Sequence, residues 1–236
     1  MESCRNKIVR IFIWLWFTFV TLIAAKTLCR IFIGDWFPVN TTSMMPAIVP
    51  GDKIWVNKLI FGARVYKNLN FLDGKPLKTF RVKGLRKIRR GDVVVFNAPI
   101  QESGLDSIVF KINYVFVKRC TGLPGDSVAV HGSYKYSGAV YVPQKGDTLY
   151  MCDPKIDLYH TIIAYETKGI VPADYYVFLN NYYFLCGDNV LHSHDSRNFG
   201  FVPEEFIIGV SKRVLFNNRD GWRQKFKERR ILWRLK

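Results

Sequence analysis

Three short segments carry side chains whose types and spacing could do chemistry. The first is Thr41-Thr42-Ser43-Met44-Met45-Pro46, followed by Pro50-Gly51-Asp52, a small polar cluster that breaks into a proline-bounded turn. A serine there can be both exposed and rigidly held, as a nucleophile needs to be. The second, seventy-five residues on, is Val115-Phe116-Val117-Lys118-Arg119 before Gly122-Leu123-Pro124-Gly125-Asp126, which sets a lysine at the end of an apolar strand just ahead of a tight turn. A surface lysine keeps its proton to about pH 10.4, but desolvation among apolar side chains disfavours the ammonium and leaves a neutral amine able to act as a general base. A shift of about two or three pH units requires roughly 3 to 4 kcal/mol of differential solvation, which a buried strand can supply. The bland alternative is a snorkelling lysine with a structural role.

The third segment runs Gly187-Asp188-Asn189, then Ser193-His194-Asp195-Ser196-Arg197, then Gly200-Phe201-Val202-Pro203. His192 and His194 flank Ser193, and H-x-H can bind metal or set an imidazole beside a nucleophile. With four histidines in the chain and no third ligand at convincing spacing, they read as polar loop residues, and neither metal nor cofactor is expected. The chain lacks G-x-S-x-G, S-x-x-K, H-E-x-x-H, a P-loop and G-x-G-x-x-G, so several familiar enzyme classes lose support.

The elements that must position these groups begin with residues 11–25, IFIWLWFTFVTLIAA, uncharged and preceded by Arg5, Lys7 and Arg10. Fifteen helical residues reach roughly 22 Å, short of a bilayer core of about 30 Å. Ile8, Val9 and the Leu28–Ile33 stretch supply the missing length, because Arg10 and Lys26 can snorkel. Cleavage after Ala25 would put Ile23 where a small residue is wanted, so the segment reads as an uncleaved transmembrane anchor rather than a secretory leader. The basic residues before it slightly outnumber those after it, which biases the N-terminus towards the cytoplasm.

Beyond Ile33, short runs rich in Val, Ile, Phe and Tyr are punctuated by Gly, Pro and Asp, and no long amphipathic helix alternates with them. This predicts a mostly β protein of antiparallel sheets behind one N-terminal transmembrane helix. The expected division is an anchor over 1–35, a β core carrying the three segments over 36–130 and 184–216, a variable β insertion over 131–183 and a basic tail over 217–236. The chain carries 35 Lys and Arg against 19 Asp and Glu, a formal +16, which brings acidic lipid or nucleic acid into consideration. Lys78, Arg81, Lys83, Arg86, Lys87, Arg89 and Arg90 fall in an acid-free run that reads as a solvated loop or hairpin, and the tail could lie on anionic headgroups. Five cysteines without a C-x-x-C pair argue against a redox motif or zinc ribbon; Cys120 and Cys186 read as buried thiols.

Taken together and in this order, S-M-x-P at Ser43, K-R-x-x-G-x-P-G-D at Lys118, and G-D-N with S-x-D-S-R and G-x-V-P resemble bacterial signal peptidase I, the membrane-anchored serine-lysine endopeptidases. Arg90-Gly91-Asp92-Val93-Val94-Val95-Phe96 is similar to the R-G-D-V-V-V-F strand of that family. The resemblance implies that Ser43 is the nucleophile, that Lys118 moves its proton, and that Thr41 Oγ1 with the Ser43 N–H forms the oxyanion hole. It implies that Ser193 orients the lysine, that Asp195 and Arg197 support the closing loop, and that Met44 lines a pocket for small residues, typically alanine, at −1 and −3. Asp126 and Asp188 read as turn and loop supports. The implied substrates are signal peptides of exported preproteins, and the implied place is the bacterial cytoplasmic membrane, single-pass, with the catalytic part outside. Val190-Leu191-His192 departs from the R-D-N that often follows G-D-N in the family.

Two other readings compete. Ser43 could work with His192 or His194 and a nearby aspartate as a triad-type membrane hydrolase, or the chain could be a non-enzymatic, membrane-tethered basic module for lipid or nucleic acid. Nucleic acid is not expected, since no aromatic-studded RNA motif, helix-turn-helix or zinc site accompanies the charge.

Overall fold

The apolar N-terminal residues form a single helix, α1, Glu2–Phe32. Within it Val9–Phe32, 24 residues, is long and apolar enough to cross a membrane, and no part of that stretch is buried against the rest of the protein. At about 1.5 Å per residue it runs roughly 36 Å, beyond the hydrocarbon thickness that the fifteen-residue run alone could not span. The hydroxyls of Thr18, Thr21 and Thr27 donate to the carbonyls of Leu15, Phe17 and Ile23, so these polar groups are satisfied inside the helix. The computed structural model describes residues 2–67, 79–101, 107–130, 138–170, 172–217 and 232–235.

Ile33 leads into a sheet whose principal strands are β1 Gly34–Pro38, β2 Asp52–Asn57, β3 Val93–Asn97, β4 Val115–Gly122, β5 Tyr182–Cys186, β6 Val202–Pro203 and β7 Ile207–Asn217. Their spatial order is β1-β2-β7-β3-β4-β5-β6, with the short Trp233–Arg234 strand also paired to β7. The pairings along this path are antiparallel. Register shifts at Ile207/Gly209, Ser211/Arg213 and Val214/Phe216 in β7 bend the long central strand, which curls the sheet around its contents. β3, read from Val-Val-Val-Phe-Asn, is buried at every position. Its successive side chains serve two different cores: Val94 and Phe96 enter one rich in aromatics, and Val93 and Val95 enter a smaller one with Met44, Ile48, Ile54 and Val56. A strand covered on both faces is why its sequence is a continuous apolar run rather than an alternation.

The stretch expected as a β insertion, 131–183, contains the short strands Gly138–Tyr141, Thr148–Tyr150 and Tyr175–Val177 but also a helix, α2, His160–Thr167. The all-β reading of that stretch is therefore corrected. Ile162, Ile163 and Tyr165 are buried in the aromatic core, and left-handed Lys168 followed by Gly169 ends the helix. Glu166 is tied to the segment behind it, accepting hydrogen bonds from Tyr176 Oη, Tyr182 Oη, and the backbone N–H groups of Leu179 and Asn180.

The basic run, expected as a solvated loop or hairpin, begins as a hairpin strand, and several of its cations have partners within the protein. Lys78 lies outside the described residues, and Thr79–Arg81 pairs with Arg64–Tyr66 as a hairpin. Arg81 donates to the carbonyls of Gly62, Glu204 and Ile207 while stacking 4.4 Å from the Phe61 ring. Arg86 forks onto Asp92, and Arg90 pairs with Asp126. These cations are occupied holding loops together. Residues 218–231 and 236, most of the basic tail, lie outside the described residues.

Candidate active site

The turn that carries Ser43 is fixed from both sides by hydrogen bonds and apolar anchors. Val39 N–H donates to the Asp52 carbonyl at 2.8 Å and Gly51 N–H to the Val39 carbonyl at 2.7 Å, which closes the loop between β1 and β2. Asp52 accepts from Val49 N–H and from Asn217 Nδ2 on β7, so the loop is stitched to the centre of the sheet. Met44 and Ile48 are fully buried in the smaller core, one turn apart, with Ile48 N–H donating to the Met44 carbonyl. The expectation that Met44 lines the substrate pocket is thereby corrected: its side chain turns inward and holds Ser43 in place by packing.

β4 delivers the lysine. Lys118, 3% exposed, donates from Nζ to Ser43 Oγ at 2.5 Å. Burial lowers the ammonium's pKa to about 8; the Asp195 charge opposes that shift and Arg197 adds to it. The amine also lies 5.3 Å from the Phe116 ring. Thr41 Oγ1 is 3.4 Å from Ser43 Oγ on the exposed side. A hydroxyl hydrogen-bonded to an amine that is part neutral near pH 8 is the arrangement needed for proton removal by lysine.

The loop after β5 completes the site. Asn189 donates from N–H to the Ser43 carbonyl at 3.0 Å and from Nδ2 to the Thr42 carbonyl at 3.2 Å; sequence reasoning quoted Asn189 within G-D-N without giving it this clamp. Asp188 pairs bidentately with Arg119, next to the lysine. Asp195 caps the one-turn helix α3, Ser196–Phe199, through a capping box with Asn198. It binds Arg197 Nε and Nη2 at 2.9 and 2.6 Å and accepts from Gly187 N–H at 2.8 Å. Burial alone would raise the Asp195 pKa, but Arg197, the Gly187 N–H and the Ser193 hydroxyl outweigh it and hold the carboxyl below the usual range. Cys120 and Cys186 are free thiols whose pKa values burial pushes up to about 12 and about 11. Both are inert at neutral pH.

Ser193 differs from its expected role. Its Oγ is buried and makes no hydrogen bond of good geometry among the described residues, so the bond to Lys118 is not formed here. The hydroxyl packs against Gly187, where a β carbon would overlap it and would lie 2.5 Å from the Ser43 carbonyl oxygen. Gly187→Ala is therefore expected to displace the turn that carries Ser43. Steady-state kinetics should show kcat reduced about 100-fold or more, in line with what small misplacements of reacting groups cost, while circular dichroism remains that of the unaltered protein.

A crevice of about 280 Å³ opens beside Ser43 and Lys118. Pro38, Val39, Val115, Val117, His192 and His194 are among the residues that line it. Neither histidine hydrogen-bonds Ser43 Oγ, whose side-chain partners among the described residues are Lys118 and Thr41. β5 pairs with β4 only at Arg119, Cys120 and Gly122, so residues 115–118 present a backbone edge with no strand on that side among the described residues.

The profile of a family described as signal peptidase, peptidase S26, matches residues 11–216. Signal peptidase I of Rickettsia typhi is 33% identical over 225 residues, 87% of this chain and 80% of the relative. The signal peptidases I of Rickettsia massiliae and Rickettsia bellii are 30% and 29% identical over 227 residues each, 88% of this chain and 80% and 74% of theirs. A serine and a buried lysine in hydrogen-bond contact, set in a curled antiparallel sheet behind an apolar helix, thus coincide with a family match across most of the sequence: the chain belongs to the signal peptidase family, peptidase S26.

Proposed function

We propose that this protein is a membrane-anchored endopeptidase that removes signal peptides from exported preproteins by a Ser43–Lys118 dyad. The observation that carries the reading is the 2.5 Å contact between Lys118 Nζ and Ser43 Oγ in a buried setting. Neutral Lys118 takes the Ser43 proton as Oγ attacks the scissile carbonyl, and the Ser43 N–H with the Thr41 hydroxyl stabilises the oxyanion. As the tetrahedral species collapses, the Lys118 ammonium returns that proton to the departing amine, leaving an acyl-enzyme. Lys118 then deprotonates a water, whose attack releases the leader's carboxylate and restores Ser43.

The leader lies as an added strand along the 115–118 edge, with small side chains at −1 and −3 entering the crevice between Val39, Val115 and Val117. The Asp195–Arg197 pair holds the loop behind the lysine, and its two charges act on the amine in opposite directions. α1 spans a bacterial cytoplasmic membrane, with the catalytic domain on the outer side against anionic headgroups. The basic-module reading is weakened because Arg81, Arg86, Arg90 and Arg119 are spent on internal partners.

The test is cleavage of a preprotein ending its leader in Ala-x-Ala by purified protein in detergent, with the product's new N-terminus sequenced across pH. The expected cut follows the second alanine, and kcat/KM rises with pH through about 8, where Lys118 loses its proton. A rate limb near pH 6 to 7 that disappears in His192→Ala or His194→Ala would transfer the role to imidazole.

A further inference from the structure

A second cleft, of about 240 Å³, opens beside the catalytic crevice and shares Phe116 and His194 with it. Its remaining walls include Ala98, Tyr114 and Phe199. The aromatic rings form a contiguous lattice: Tyr114 and Phe116 have centroids 4.9 Å apart, Phe116 and Phe199 6.3 Å, and His194 and Phe199 5.6 Å, with Phe96 supporting Phe199 from the core at 6.4 Å. Tyr114 is 45% exposed. Apolar ring surface therefore faces the opening, although the core next to it is closed.

The register of β3 and β4 indicates which part of a bound leader reaches this cleft. Val117 and Val115 stand opposite Val95 and Asn97, while Lys118 and Phe116 stand opposite Val94 and Phe96. Successive residues of a strand point to opposite faces. Val115 and Val117 consequently pack on the side of Val39 and the smaller core, whereas Phe116 lies with Phe96 on the side of the aromatic core. A leader extended along the 115–118 edge alternates in the same way. If −1 and −3 point to the Val39 side, then −2 and −4 point to the Phe116 side. Position −2 falls by Lys118 and Phe116; position −4, about 7 Å further along, falls by Phe116 and Tyr114, the walls of the second cleft.

We infer that this cleft is a specificity site that takes an aromatic side chain four residues before the cut. The inference rests on the signal-peptide reading above. Offset or edge-to-face contacts with Tyr114, Phe116 and Phe199 would hold such a ring, and the cleft's continuity with the catalytic crevice identifies its occupant as the same peptide.

The test uses full-length protein in detergent and four preproteins that differ only in carrying Phe or Ala at −4, or Phe or Ala at −2. Burying most of a phenyl ring predicts that kcat/KM favours Phe over Ala at −4 by about tenfold. Tyr114→Ala should reduce that ratio to about twofold or less, Tyr114→Trp should restore it, and the ratio at −2 should be the same in all three proteins. Equal rates for Phe and Ala at −4, a preference that Tyr114→Ala leaves intact, or a preference at −2 instead would overturn the inference while leaving the peptidase reading standing. Failure of the unaltered protein to cut any of the four would sink both.

Discussion

Lys118→Met leaves a folded protein that no longer cuts preprotein and is more stable than the original. The catalytic part follows from the contact with Ser43: methionine fills nearly the same volume but cannot take a proton. The loss expected is about 10³-fold or more in kcat, near the upper range for removing a positioned base. Retention of activity within tenfold would exclude the dyad.

The stability part follows from the sign of the pKa shift. In the folded chain burial lowers the Lys118 pKa to about 8, against about 10.4 when unfolded. Below pH 8 both states are protonated and folding bears the full penalty of a buried charge, of order 3 kcal/mol before the lost Ser43 hydrogen bond is set against it. The penalty shrinks as pH rises from 8 towards 10.4. Lys118→Met is therefore expected to raise the melting temperature at pH 7 by several degrees, with a smaller gain at pH 10. Thermal unfolding of both proteins in the same detergent at the two pH values measures this.

Asp195→Ala is the substitution expected to damage the fold most. It strips the Arg197 guanidinium of its bidentate partner in a buried setting, removes the cap of α3, and frees the Gly187 N–H. Breaking a buried ion pair on one side costs about 3 to 5 kcal/mol, which for a chain of this size lowers the melting temperature by roughly 10 °C. Because the folded-state Asp195 pKa is depressed, the pair's contribution is present above about pH 4 and is lost as pH falls through the folded pKa. The gap between variant and original should accordingly narrow in acid. Asp195→Leu combined with Arg197→Met, which removes both charges, should recover much of the loss. A double variant as unstable as Asp195→Ala would show that the capping and Gly187 contacts, rather than the ion pair, hold this loop.

The chemistry was more legible in the sequence than its surroundings. A hydroxyl in a proline-bounded turn and an amine at the end of an apolar strand are each weak signals alone, and Ser43 and Lys118 stood out only when the three segments were taken together, in order, as a family resemblance. Asp195 and Arg197 sit two residues apart, so their pairing is local as well. Met44 was misread because the one-turn bond from Ile48 N–H to the Met44 carbonyl decides which way its side chain faces, and no periodicity is defined over so short a segment. α2 was missed because Thr161, Ile162 and Ile163 are β-branched and favour strands; burial of both isoleucines in the aromatic core overrides that preference. Arg81 resembled any solvated cation because two of its partners lie 123 and 126 residues away, beyond the reach of any local pattern.

Only Ile33 separates the last residue of α1 from the first of β1, and the junction is braced. Lys58 Nζ donates to the Arg30 carbonyl at 2.6 Å, Lys58 N–H to the Ile33 carbonyl at 2.9 Å, and Arg30 pairs with Asp35. With α1 in a bilayer as proposed, such a mount gives the blade a fixed elevation over the lipid, so the enzyme works as a ruler as well as a cutter. Leaders whose scissile bond emerges at another height would go uncut however well their side chains fit.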